Sequence, residues 1–436
     1  MGTQSGAPER VCLIGAGSSG LAAAKALHEA GIDFDGFERG SGIGGNWRYG
    51  NDNGYSAAYA SLHINTSKEK MAFSDFAMPA SYPDYPHHSQ VLEYFESYVD
   101  HFGFRDRIRF STSVASVTKA DGEGFPGAWR VTLESGESSL YRAVLVANGH
   151  HWSKRLPSFP GSFSGRTMHA HDYKTFAGLE GQRVLIVGIG NSGVDLACEA
   201  CRVASETLLS TRRSAHILPK YAFGKPIDHF SSESSAWVPL AIQQLVFKTI
   251  LKIVRGDQAK LGIPRPAHAL LSAHPTVSEE LPSLVGHGRV KMRPDVSRLD
   301  GDGVVFADGR RDLVDVIVYC TGYDVRFPFL SEEVMPTAQN RVRLYRHVVH
   351  PGQPNLYFIG LIQALGAVMP LAEAQSVWVA KLLTGKAKLP ERAAMERAIE
   401  EDLAAMRKRY VASNRRTIQV DFYPYLNLIR REARRA

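Results

Sequence analysis

Two matching sets of glycines mark where this chain can do chemistry. Gly15-x-Gly17-x-x-Gly20 and Gly188-x-Gly190-x-x-Gly193 each follow a short apolar run, Val11–Ile14 and Val184–Val187. A helix-forming stretch follows each set. Strand, glycine turn and helix start together make a site for a dinucleotide. The first glycine takes a positive φ, the second lets backbone approach a pyrophosphate, and the helix N-terminus offers N–H groups and a positive dipole end. Within the loops, Ser18 and Ser19 accompany the first set, and Asn191 and Ser192 the second.

What stands at the end of the next strand separates the two sites. Ile32–Phe37 delivers Glu38, eighteen residues after Gly20. A carboxylate there accepts hydrogen bonds from ribose hydroxyls and repels a 2′-phosphate, which suits FAD or NAD. Thr207–Ser210 instead delivers Thr211, Arg212 and Arg213. Arg212, nineteen residues after Gly193, is taken as the counterpart of Glu38. Paired guanidiniums suit a 2′-phosphate. Acid first and base second point to FAD first and NADPH second.

Between these loops lies Phe163-x-Gly165-x-x-x-His169-x-x-x-Tyr173-Lys174, which fits FxGxxxHxxx(Y/F)(K/R). The pattern resembles the fingerprint of flavin-containing monooxygenases, class B flavoproteins. The resemblance extends to Gly45-Asn46-Trp47 within a GGxW turn, and to Asn65-Thr66-Ser67-Lys68-Glu69 followed by Phe73-Ser74-Asp75-Phe76. It continues through Cys320-Thr321-Gly322-Tyr323, Leu356–Gly360 with Gln363, Arg409-Tyr410-Val411 and Thr417-Ile418-Gln419. Two departures are visible: Cys320 replaces the usual Ala, and Ala147-Asn148-Gly149 carries Asn in an ATG-like turn. The likeness is nearest to the animal enzymes, without their C-terminal extension and membrane anchor.

The resemblance implies an α/β fold with two Rossmann-like domains. An FAD-binding domain, 1–175 and 322–436, is interrupted by an NADPH-binding domain, 176–321, with an amphipathic insertion near 215–275. It also implies the chemistry: NADPH reduces FAD, O2 adds at flavin C4a, and the hydroperoxide oxygenates a nitrogen or sulfur nucleophile of a small molecule. No strong acid or base is required of the protein, only binding, orientation and exclusion of water. By resemblance Asn65 is the side chain nearest the peroxide, and Asn65, Thr66, Gly45, Asn46, Trp47 and Gln363 join the FAD site. His169 and Tyr173 are expected to shape the junction rather than touch substrate. Baeyer–Villiger oxygenation of ketones, a non-oxygenating NADPH reductase or oxidase, and a non-catalytic NADPH sensor remain open.

Composition sets wider bounds. The 436 residues suffice for two cores, and 44% hydrophobic with 22% charged residues is ordinary for a globular protein. The net charge of +7 is modest and partly terminal, at Arg430, Arg431, Arg434 and Arg435, so no nucleic-acid partner is expected. No metal site is expected. Cys198 and Cys201 make a C-x-x-C inside the helix after the second loop, without Pro or Gly between them, and read as packing residues. The N-terminal MGTQSGAPER lacks a signal-peptide core, and Gly2 fails the myristoylation pattern because residue 6 is Gly. A cytoplasmic homodimer is the expectation. Residues 237–255 place Gln244, Lys248, Lys252 and Arg255 at helical spacing among apolar positions. Such a helix either packs against its own protein or makes weak contact with an anionic membrane surface.

Overall fold

The structure is a computed structural model that describes residues 8–121, 125–411 and 418–435. Gly2 and Thr417 lie outside the described residues. Strands of two parallel sheets carry the architecture. In chain order they are β1 (Val11–Ile14), β2 (Phe34–Phe37), β3 (Ile108–Arg109), β4 (Ala143–Val146) and β5 (Arg166–His169). They continue as β6 (Arg183–Val187), β7 (Glu206–Ser210), β8 (Lys291–Arg293), β9 (Val316–Tyr319) and β10 (Leu356–Phe358). The helices that matter here are α1 (Ser18–Glu29), α2 (Asn191–Ala200), α3 (Leu240–Val254) and α4 (Met369–Leu383).

The chain divides into two compact units: residues 1–58, 62–153 and 324–436 form one, and 59–61 with 154–323 form the other. Both are α/β units of Rossmann type. In the first, the sheet order is β10-β4-β1-β2-β3, and every pairing is parallel. Strand side chains alternate between faces. Val11 and Leu13 therefore enter one core with α1 and α4, while Cys12 and Ile14 enter another with Val117, Trp129 and Val131. The alanine-rich run of α1 supplies helix propensity, and Gly31, at φ 67°, ends it with its N–H on the His28 carbonyl.

In the second unit the order is β8-β7-β6-β9-β5, again all parallel. Leu185, Val187, Leu208, Ile317 and Tyr319 form its core with Val304 and Phe306. This unit begins at Lys154, ahead of residue 176, because β5 within the fingerprint pairs with β9 as an edge strand. The periodicity of 237–255 does yield a helix, α3. Phe247, Ile250, Leu251 and Val254 pack on Leu218, Ala222, Ile227, Leu270 and Val277.

Candidate functional site

Gly15 leaves β1 with φ 101°, and a Cβ there would sit 2.6 Å from the Ala147 carbonyl oxygen. Gly20 is equally constrained, since its Cβ would lie 1.9 Å from the Gly15 oxygen. Steric demand, not ligand contact, fixes these two glycines. Gly17 and Gly45 differ: Gly44 donates its N–H to the Ala16 carbonyl, and a Cβ on Gly45 would meet Gly17 Cα at 2.9 Å. Two glycine backbones thus lie together at the floor of a cavity of about 410 Å³.

Glu38 follows β2 directly and is 4% exposed. Its carboxylate accepts from Ala16 N at 2.8 Å, Gly40 N at 2.8 Å and Asn53 Nδ2 at 3.1 Å. These bonds brace the glycine turn and hold the acid rigidly at the cavity wall. Asn46 accepts from Ala57 N through its side-chain oxygen at 2.8 Å. Gly15, Gly17, Ser18, Ser19, Glu38, Gly45, Asn46, Trp47 and Gln363 all line this cavity. Gly20 supports it from behind. Asn65 and Thr66 are half-buried and are absent from its lining, and no side-chain hydrogen bond to Asn65 occurs among the described residues. Their turn is firmly held: Ile64 N donates to Pro86 O, and Lys68 N to Asp84 O.

The cavity also gathers residues that no local pattern announced. Tyr55 stacks on Trp152 with centroids 4.4 Å apart and planes 14° from parallel. Arg39 lies over the Tyr55 ring and donates to its hydroxyl at 2.9 Å. Asn53, Thr112 and Glu134 complete that end. The unusual Asn148 uses its amide to bond Arg326 O at 3.1 Å, which accounts for the departure from an ATG-like turn. Arg39 beside Glu38 was the readable signal; Asn53 and Trp152 arrive from separate loops.

The second unit repeats the first loop almost atom for atom. Gly188 has φ 116° and a Cβ position 2.5 Å from Cys320 O; the Gly193 Cβ position is 1.9 Å from Gly188 O. Gly190 has open space around it, and Asn191 is committed to accepting from Val277 N at 2.8 Å. The parallel registers pair Ile14 with Phe37 and Val187 with Ser210. Thr211, and not Arg212, therefore holds the place of Glu38, and Arg212 holds that of Arg39. The sequence count went one residue too far. Thr211 is buried and accepts from Ser214 N at 2.9 Å, while Ser192, Arg212 and Arg213 are exposed. A small hydroxyl followed by two exposed guanidiniums leaves room for a phosphate where Glu38 leaves none.

His169 is structural by its bonding. Its Nε2 contacts Gly322 O at 3.0 Å and its Nδ1 accepts from His171 N at 3.1 Å, so both ring nitrogens are committed. Burial also lowers its pKa. Cys198 and Cys201 are buried free thiols, and burial pushes Cys198 up to about 12, far from thiolate chemistry at neutral pH.

Comparison with known proteins meets this geometry. Residues 8–433 match the family model of flavin-binding monooxygenase-like proteins. The chain belongs to that family. It is a flavin monooxygenase, and its cofactors are FAD and NADPH. This monooxygenase is 41% identical over 433 residues to flavin-containing monooxygenase 5 of Oryctolagus cuniculus, covering 95% of this chain and 81% of that protein. It is 34% identical over 436 residues to dimethylaniline monooxygenase [N-oxide-forming] 2 of Rattus norvegicus, covering 96% and 81%. The solved S-allyl-L-cysteine S-oxygenase of Allium sativum matches the monooxygenase with a TM-score of 0.74 and 26% identity, over 98% of this chain and 89% of that one.

Proposed function

We propose that the monooxygenase oxygenates nitrogen or sulfur nucleophiles of small molecules, with FAD held by the first unit and NADPH by the second. The observation that carries this reading is the cavity wall, where the Gly17 and Gly45 backbones meet beside the braced Glu38 as a cradle for a dinucleotide, with no cysteine among the lining residues to act as a reductase dithiol. The N-oxide-forming and S-oxygenating relatives support the same substrate class. FAD supplies, when bound, the reduction of O2 and the transfer of one oxygen atom. The glycine cradle Gly15, Gly17 and Gly45 takes the pyrophosphate, and Glu38 accepts from the ribose. Gln363 and Trp47 serve the flavin side. At the second loop, N–H groups of Asn191–Gly193 face the coenzyme pyrophosphate, and Arg212 and Arg213 pair with the 2′-phosphate beside Thr211.

We assign Asn65 to the reacting group on the resemblance of Asn65–Glu69 to the family's segment; its side chain lies outside the cavity lining, on a turn that is held on both sides. One fixed donor in a water-poor site is worth more than in bulk solvent. Asn65→Ala should retain FAD and still oxidise NADPH, with oxygen leaving as H2O2. The ratio of oxygenated product to NADPH consumed measures this, using thioethers, tertiary amines and ketones as substrates. An unchanged ratio removes Asn65 from the mechanism. Product from ketones alone replaces the substrate class with Baeyer–Villiger oxygenation.

Among the described residues no helix is long and apolar enough to cross a membrane. α3 nevertheless presents Ile242, Leu245, Val246 and Ile253 outward, with Trp237 at 85% exposure just before it. Lys248 and Lys252 are exposed beside them. We propose weak contact of this face with an anionic membrane surface.

A further inference from the structure

Residues 59–61 belong to the second unit although both flanking stretches belong to the first. Something must hold so short an excursion. Tyr59, 4% exposed, donates its hydroxyl to Asp195 Oδ2 at 2.6 Å, and Ala60 N donates to Lys174 O at 2.8 Å. Four residues along the same helix, Glu199 Oε2 accepts from the Tyr173 hydroxyl at 2.6 Å. The two tyrosine rings meet edge to face, with centroids 6.2 Å apart. The excursion and the fingerprint loop are thus both fastened to α2, the helix that starts at the second glycine loop.

Carboxylates are a poor choice for packing alone. Burying one costs free energy that an apolar pair of the same shape avoids. Asp195 bears that cost visibly, since burial pushes it up to about 6. The groups facing it are Tyr59, Lys220, Glu199 on its own helix, Glu280 at the start of Leu281–Gly286, and the thiols of Cys198 and Cys320. Lys220 is itself lowered by burial, which weakens it as a counter-charge.

We propose that Tyr59 and Asp195 are positioning residues whose hydrogen bond ties the coenzyme helix to the chain leading into Asn65, and so keeps NADPH oxidation coupled to oxygen transfer. Asn65 lies six residues beyond Tyr59 in sequence. The proposal rests on the assignments of the second loop to NADPH and of Asn65 to the reacting group. Coupled turnover converts substrate, NADPH, H⁺ and O2 into oxygenated substrate, NADP⁺ and H2O. With the tie broken, NADPH, H⁺ and O2 yield NADP⁺ and H2O2.

The test uses the FAD-loaded enzyme with a thioether, which does not titrate, and reads product and H2O2 per NADPH from pH 5 to 8. In the parent, coupling falls as pH drops through about 6, because a protonated carboxyl accepts more weakly than a carboxylate. Tyr59→Phe should raise the ratio of H2O2 to oxygenated product by roughly tenfold or more, the worth of one hydrogen bond to a charged group, and remove the pH dependence. Asp195→Asn, a fixed neutral acceptor, should show the parent's acid-limit coupling at every pH. A merely structural role would lower melting temperature without flattening that profile. Parent-like coupling and profile in folded, FAD-loaded Tyr59→Phe overturns the proposal, as does an unchanged profile in Asp195→Asn. Failure of the underlying reading is separate: it appears as unchanged coupling in Asn65→Ala or an unchanged NADPH KM in Arg212→Ala.

Discussion

Thr211 occupies in the second parallel sheet the register position that Glu38 occupies in the first, each being the residue after the strand partner of the one preceding a glycine loop. Under the proposed assignment of the two loops, these positions set coenzyme choice by what they refuse. Glu38 is fixed by bonds to Ala16, Gly40 and Asn53 and cannot swing aside for a phosphate. Thr211 has no charge to present. Arginine follows in both sites, as Arg39 and Arg212, but Arg39 is spent on Tyr55.

NADPH should therefore be preferred to NADH, mainly through KM. Thr211→Glu should place a carboxylate against the 2′-phosphate and erase the preference. Arg212→Ala should raise the NADPH KM by roughly 10-fold to 100-fold, the worth of about 1.5–3 kcal/mol for a charge-assisted pair, with little change for NADH. Steady-state kinetics with both coenzymes checks this. Equal kcat/KM for the two in the parent would remove the arginines from the site.

The glycine loops were legible in the sequence because their demands are local: Gly15 and Gly188 each face, within 2.6 Å of a Cβ position, the carbonyl of the residue just past a neighbouring strand, and no other residue fits. Glu38 was legible for a related reason, being tied by chain length to the strand it follows. The tertiary partners were not. Tyr55 and Trp152 are 97 residues apart and meet only because two loops end at the same cavity. The polar stripe of α3 was misleading in part. Gln244 bonds Leu270 O and Arg255 bonds Ser278 O, so both serve the unit's own interior, while Leu245 and Ile253 face out. Helical spacing gives the faces but not which one is covered.

Gly188 and Gly190 should respond in opposite ways to the same methyl group. At Gly188, a Cβ collides with Cys320 O at 2.5 Å and the φ of 116° is strained for any L side chain, so Gly188→Ala should cost several kcal/mol of stability, about 2–4. At Gly190 nothing lies within 4 Å of the Cβ position. Gly190→Ala should melt like the parent yet weaken NADPH binding by about tenfold or more, because the methyl occupies space a pyrophosphate needs. Thermal melting and coenzyme titration separate the two. A destabilised Gly190→Ala with unchanged affinity would show that this loop is a packing element only.

The outward face of α3 makes a surface prediction. Vesicles rich in anionic lipid should bind the protein at low salt and release it near 0.5 M salt, where the Debye length falls to roughly 4 Å. Leu245→Ser with Ile253→Ser should abolish flotation without altering turnover of a soluble thioether. Binding that persists in the double variant, or a salt-insensitive dimer in its place, assigns the face to another occupant.

Asp195 gives a prediction about stability whose sign runs against its expected effect on coupling. Its folded-state pKa of about 6 lies above the ordinary 3.8, so the fold favours the protonated acid. The stability this contributes is complete below about pH 4 and is lost as pH rises through about 6, when the group must ionise in a covered site. The loss is on the order of 2–3 kcal/mol, from roughly 1.4 kcal/mol per pKa unit, and coupling to Glu199 and Lys220 broadens the window. Asp195→Asn does not titrate. Relative to the parent, it should therefore gain stability between pH 4 and pH 7, seen as a melting-temperature difference that grows by several degrees. A difference that stays constant across that range would mean Asp195 is ionised throughout, with Lys220 compensating it fully. The variant that gains stability above pH 6 is the one expected to leak H2O2 there. That opposition is what a carboxylate retained for positioning rather than for packing should produce.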